Sequence, residues 1–153
     1  MENSNDSALY QGRRNKLVKE LEGISDYNEN VIGAISVVPR HIFVAQGLTH
    51  LAYLNRPLPI PSGQTISQPS TVALQSHLLG DIKGKKVLEI GTGCGYQTAI
   101  LAQMGAEVSS IERHKELCRT ANATLKKLDT QISPYIWATV IKGSRNRPHL
   151  MLL

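Results

Sequence analysis

The chain has little that would staple, anchor or stack it. Its 153 residues include two cysteines, Cys94 and Cys118, too few for a disulfide framework. No apolar run approaches the roughly 20 residues that cross a bilayer, and the polar start MENSNDSALY has no apolar signal-peptide core. Aromatic residues make up only 5% of the chain, which leaves its cations without interleaved rings for bases to stack on. The net charge of +5 is also unevenly spread: residues 131–153 carry Lys142, Arg145 and Arg147 and no acid, so this tail supplies +3 of it. A nucleic-acid partner is therefore not expected. The five histidines, His41, His50, His77, His114 and His149, show no metal-ligand spacing with the cysteines, and no metal site is expected. A chain of this length, 41% hydrophobic, forms one core without staples, and it reads as a cytoplasmic monomer with reduced thiols.

What is present is organised by periodicity. Leu17, Val18 and Leu21 form one stripe within residues 8–22, and Gly23 can stop a helix there. A second short helical pattern covers Glu29 to Val38, before Pro39. The stretch NRPLPIPSGQTISQ, residues 55–68, holds three prolines and a glycine and predicts a long irregular loop of functional interest. A helix follows, with Ser67 near its start and Gly80 at its end. Next come an apolar strand (86–90), a glycine turn, a helix stopping at Gly105, a strand (107–111) and a helix from about His114 to Leu128. Strand–turn–helix–strand–helix implies a parallel sheet with helices on its faces. Three segments result: a helical and loop segment (1–80), a βαβα half (81–130) and a divergent tail (131–153).

The glycine turn carries the chemistry. Gly91, Gly93 and Gly95 follow a strand and precede a helix, where residues without Cβ let a ligand approach the backbone. Glu112 ends the next strand, at the spacing from which a carboxylate accepts hydrogen bonds from ribose hydroxyls. Tyr96 stands where a dinucleotide fingerprint wants its last small residue, and Glu89, just before the glycines, would repel a pyrophosphate yet attract an ammonium. A cofactor with a ribose and a cationic amino-acid moiety fits better than NAD, and S-adenosylmethionine has both. The plain alternative is a structural turn flanked by two surface carboxylates. Cys94, inside the turn, has no evident base and is not expected to act as a nucleophile.

The segments VPRHIFV, LPIPSGQTISQPSTVA and KVLEIGTGCGYQTAILAQMGAEVSSIER, in that order, resemble the protein-L-isoaspartate (D-aspartate) O-methyltransferases over about residues 10–130. GQTISQP is the more specific element, because many methyltransferases share the glycine motif. The resemblance implies a Rossmann-like, doubly wound α/β fold and methyl esterification of the α-carboxyl of L-isoaspartyl residues in damaged proteins, with S-adenosylmethionine as donor. It implies the active-site serine at Ser67, cofactor contacts from Gln64, Thr65, Glu89, Gly91, Gly93 and Gly95, and ribose contacts from Glu112. Leu58 to Pro61 matches the family's substrate-side loop and could equally be apolar packing. Ser67 could also be a helix cap beside Pro69, a role compatible with the first. Another methyltransferase with the same glycine motif remains an alternative.

Past about Asp129 the resemblance stops, and the family's Gly-Asp-Gly segment is missing. Encoded with suitable synonymous codons and read two nucleotides on, residues 136–153 spell MGDGYKGLPEQAPFDAI, which resembles that segment. The expectation is a frameshift between about Leu128 and Tyr135, a fold incomplete in its C-terminal half, and a truncated chain that binds cofactor weakly and methylates poorly, or an inactive fragment. Within the tail, Thr139 to Ile141 is the strand-like run.

Overall fold

The computed structural model describes residues 6–128, 135–137 and 151–152. Helices α1 (Ala8–Glu22) and α2 (Glu29–Val37) come first, then two 3₁₀ turns (Arg40–Phe43 and Gln46–Leu51). A ribbon of β1 (Leu58–Ile60) and β2 (Gln64–Ile66) leads into α3 (Pro69–Leu78). The sheet region follows as β3 (Lys86–Ile90), α4 (Tyr96–Gln103), β4 (Glu107–Ile111) and α5 (Lys115–Lys127), with β5 (Tyr135–Trp137) and β6 (Met151–Leu152).

The larger sheet has the order β5-β4-β3-β6, all neighbours parallel. The chain enters at β3, winds outward through β4 to β5, and returns to the other side of β3 at β6. This reversal is the mark of a doubly wound sheet, and ligands collect beyond the strand ends where it occurs. The architecture is a Rossmann-like, doubly wound α/β fold. Strand pairing within the tail falls at 135–137 and 151–152. The expected run Thr139–Ile141 lies outside the described residues.

One hydrophobic core runs from Leu17 and Leu21 of α1, through Val31 and Ile35 of α2 and Val72 of α3, to Ile100 of α4 and Leu125 of α5. The helices lie where the spacing predicts. Pro39 follows the end of α2, and Gly80 (φ +69°) and Gly105 (φ +90°) take the left-handed conformation that ends a helix. Two expectations need correction. Residues 55–68 are not wholly irregular: Leu58 pairs with Ile66 and Ile60 with Gln64 around a turn in which Ser62 (φ +61°) and Gly63 (φ +64°) are left-handed. Pro59 is tolerated because a two-stranded ribbon has a free edge on each strand. The N-cap of α3 is Gln68 with Pro69 as the first helical residue, so Ser67 lies one position outside the helix and does not cap it.

One cation of α1 has a structural use. Arg14 is buried, ion-paired to Asp6 at 2.7 Å and donating to the Ser36 carbonyl at 2.7 Å. It therefore cannot serve a basic surface patch.

Candidate active site

A cavity of about 540 Å³ opens beyond the C-terminal ends of β3 and β4, within the usual range for small-molecule sites. Gln64 and Thr65 of β2 form one wall, Ile90, Gly91 and Gly93 a second, and Ile111 to His114 a third. Parity of the strands explains this lining. Register pairs Glu89 with Ser110 and Ile90 with Ile111, and paired residues of parallel strands point to the same face. The two isoleucines thus lie side by side, with Ile90 57% exposed at the cavity. Glu89 and Ser110 turn the other way, toward α4.

Glu112 is the polar centre of the cavity. Its Oε2 accepts from the Gly93 N–H at 2.8 Å and its Oε1 from the His114 N–H at 2.8 Å. One carboxylate thus ties the glycine turn to the start of α5. A carboxylate has about four acceptor positions, so two remain for hydroxyl donors from a ligand. Gly91 (φ +93°) has nothing within 4 Å of where a Cβ would stand, which leaves open backbone at the cavity wall.

Three of the expected residues have other placements. Glu89 is 3% exposed and does not line the cavity. Its Oε2 accepts from the Thr98 hydroxyl at 2.5 Å and the Ser110 hydroxyl at 2.6 Å. Ser110's proton is thereby committed, so the neighbouring Thr92 hydroxyl, 2.5 Å away, is the donor to Ser110. Burial pushes the Glu89 carboxyl up to about 7, against the two hydroxyl donors and with a smaller push from Glu112. Where the sequence pattern puts Glu89 at the ligand's ammonium, the side chain here braces β3, β4 and α4 beneath the turn. Gly95 (φ +92°) also faces away, for a Cβ there would stand 3.2 Å from Leu125 Cδ1 and 3.3 Å from Ala121 Cβ. It permits α5 to pack on the turn. Ser67 is exposed and is not among the lining residues, although its neighbours Gln64 and Thr65 are. Gln64, Thr65, Gly91, Gly93 and Glu112 are thus brought together.

Both carboxylates are buried, with Glu112 only 5% exposed. The two acids beside the turn are therefore not surface groups. Burial also pushes the Cys94 thiol up to about 11, so it is protonated and inert near neutral pH. Ile90, Ile111, Arg113 and His114 were not singled out from sequence. Their signal was position, at or just beyond the ends of two adjacent parallel strands. Among the described residues no group of three or more His, Cys, Asp or Glu is placed to hold a metal, and no helix is long and apolar enough to cross a membrane.

Residues 12–145 match the sequence pattern of the protein-L-isoaspartate (D-aspartate) O-methyltransferases. The chain belongs to this family. The match runs about 15 residues past the point at which the sequence reading ended the resemblance. The protein-L-isoaspartate O-methyltransferase of Christiangramia forsetii is 50% identical over 125 residues, covering 80% of this chain and 58% of the relative. That of Flavobacterium psychrophilum is 45% identical over 141 residues, covering 92% and 66%. The chain thus spans about three-fifths of the length of these family members. In three dimensions it superposes on a protein-L-isoaspartate O-methyltransferase with a TM-score of 0.70 at 24% identity, covering 92% of this chain and 41% of the other. A Plasmodium falciparum structure assigned to the same family, in complex with S-adenosyl-L-homocysteine, gives 0.68 at 24% identity, covering 85% and 62%. These two likenesses establish the fold.

Proposed function

We propose that the cavity beyond β3 and β4 binds S-adenosylmethionine and that the protein takes part in methyl esterification of isoaspartyl carboxylates in damaged proteins. The observation that carries this reading is Glu112. Its carboxylate is fixed by two backbone N–H groups and keeps two acceptor positions toward a cavity with an isoleucine shelf and open glycine backbone. A ribose has two adjacent hydroxyls for those positions, and Ile90 with Ile111 offers apolar surface for a flat base. Gly91 and Gly93 allow close approach along the turn, and Gln64 and Thr65 close the opposite side. When bound, S-adenosylmethionine supplies a methyl group activated by its sulfonium.

The chain's own residues then have a limited task. A carboxylate acceptor is already ionised near neutral pH, so no side chain has to remove a proton. What remains is orientation of the acceptor oxygen and exclusion of water. Ser67, exposed immediately after the cavity-lining β2 segment, is assigned to hold the acceptor carboxylate through its hydroxyl. Glu89 acts from beneath, keeping the turn and the first turns of α4 in register. This reading takes the protein as a cytoplasmic monomer that acts on isoaspartyl peptides and proteins.

Calorimetric titration with S-adenosylhomocysteine tests the cofactor half, and label transfer from methyl-tritiated S-adenosylmethionine tests the acceptor half. Weak but saturable binding that Glu112→Ala abolishes, and slow labelling of an isoaspartyl peptide in preference to its aspartyl isomer, are the expected results. Equal labelling of both isomers would assign the protein to a different acceptor. Absence of binding by the intact chain would remove the proposal.

A further inference from the structure

Among the described residues Arg40 is the largest fully buried side chain, at 0% exposure. Among the described residues no carboxylate pairs with it, since the ion pair there is Arg14 with Asp6. A buried charge without a counter-charge is costly and persists only where several other interactions hold it. Its Nε donates to the Ala52 carbonyl at 2.8 Å and its Nη2 to the Ser67 carbonyl at 2.8 Å. The guanidinium carbon lies 4.7 Å from the centroid of the Tyr96 ring, whose edge-to-face neighbour is Phe43 at 5.5 Å. Tyr96 is the first residue of α4 and follows Gly95 of the glycine turn.

One planar cation therefore touches three parts of the chain: the end of the second 3₁₀ turn, the main chain of Ser67, and the residue that closes the glycine turn. The tie acts on the carbonyl of Ser67, so it fixes the backbone and leaves the hydroxyl free. Ser67 has no other regular structure to hold it, because it lies after β2 and outside α3. A lysine at position 40 could reach one of the two carbonyls but could not span both in a plane over the ring.

We propose that Arg40 is a positioning residue, which sets the Ser67 backbone against the glycine turn and so aligns the acceptor segment with the cofactor. This rests on the role assigned to Ser67 above. Alignment and general stability are separable, because the first concerns residues 64–68 and the second concerns the whole core.

The test uses the intact chain and its Arg40→Met and Arg40→Lys variants, read by amide hydrogen exchange and by S-adenosylhomocysteine affinity. Exchange at residues 64–68 should accelerate in Arg40→Met by roughly tenfold to a hundredfold, the size of a lost charge-assisted hydrogen bond. Amides of β3 and β4 should change far less, and affinity by under about threefold, while Arg40→Lys falls between. Methyl transfer to an isoaspartyl peptide should lose kcat with little change in KM for the donor. Uniform acceleration across all elements, or unchanged exchange at 64–68, would overturn the inference. If Arg40→Met does not fold, Arg40→Lys decides on the same regional comparison. Ser67→Ala separates the two readings: unchanged transfer in that variant refutes the role of Ser67, whereas the exchange pattern decides on Arg40 alone.

Discussion

Replacing Glu89 by glutamine should make the protein's stability less dependent on pH. In the folded protein burial holds this carboxyl at about 7, against an ordinary value of 4.5, despite donors from Ser110 and Thr98 that favour the ionised form. Below pH 4.5 it is protonated in both the folded and unfolded chain, and its contribution is constant. Between 4.5 and about 7 the unfolded chain has released the proton while the folded chain retains it. The folded state then binds more protons, so stability falls as pH rises through this window. Above it both states are ionised and the loss is complete. At about 1.4 kcal/mol per tenfold change, the full loss is about 3 kcal/mol, of which about 2 kcal/mol falls between pH 5 and 7.

Glutamine keeps a carbonyl oxygen for Thr98 and Ser110 and cannot ionise. Urea unfolding of the parent and of Glu89→Gln at pH 5, 6, 7 and 8 gives a difference from which the other titrating groups largely cancel. The parent should weaken relative to the variant by about 2 kcal/mol between pH 5 and 7 and little beyond pH 8. A difference independent of pH would refute the reasoning, because it would mean that the carboxyl has the same proton affinity folded and unfolded.

Thr98→Val removes one of the donors that favour the ionised carboxyl, so the pH window should move upward and stability at pH 8 should drop by about 1–3 kcal/mol, read by the same unfolding series. Gly95→Ala places a methyl at φ +92° against Leu125 and Ala121; a loss of about 1–2 kcal/mol or more, or several degrees in Tm by calorimetry, is expected. Glu112→Gln leaves one acceptor oxygen where the Gly93 and His114 N–H groups each need one, so S-adenosylhomocysteine affinity should fall roughly tenfold to a hundredfold by calorimetric titration. His77→Ala deprives the Asn28 N–H of its 3.1 Å acceptor at the start of α2; a loss of about 1 kcal/mol in urea unfolding is expected, with cofactor affinity unchanged.

The sheet region was legible because its signals are local. β3 and β4 have the boundaries read from KVLEI and EVSSI, and the glycines and prolines stop helices where their backbone geometry requires. The ribbon of β1 and β2 was harder to read. Three prolines argue against a central strand, but they do not exclude a two-stranded ribbon whose free edges need no N–H. Ser67 reads as a cap because serine favours that position, yet Pro69 needs its predecessor Gln68 at the cap, and this settles the boundary. Arg40 was not singled out from sequence. In VPRHIFV it is one of two polar residues among apolar ones, and its partners Ala52, Ser67 and Tyr96 are 12, 27 and 56 residues away.

Glu89 and Glu112 show where reading by motif and reading by parity part. Motif spacing put both near a ligand, because Glu89 stands just before the glycine turn and Glu112 ends the strand that follows it. The pleat separates them. Glu89 shares a face with Val87, and its register partner Ser110 shares a face with Val108; Val87 and Val108 are both buried. A carboxylate on that face points into the protein and has to find hydroxyl partners there, which Thr98 and Ser110 supply. Glu112 lies one residue beyond the end of β4, where the pleat no longer fixes direction and the N–H groups of Gly93 and His114 can turn it to the cavity. The same alternation puts Ile90 and Ile111 on the exposed side at the strand ends. A polar anchor and an apolar shelf in one cavity therefore follow from where the strands stop, as much as from the glycines between them.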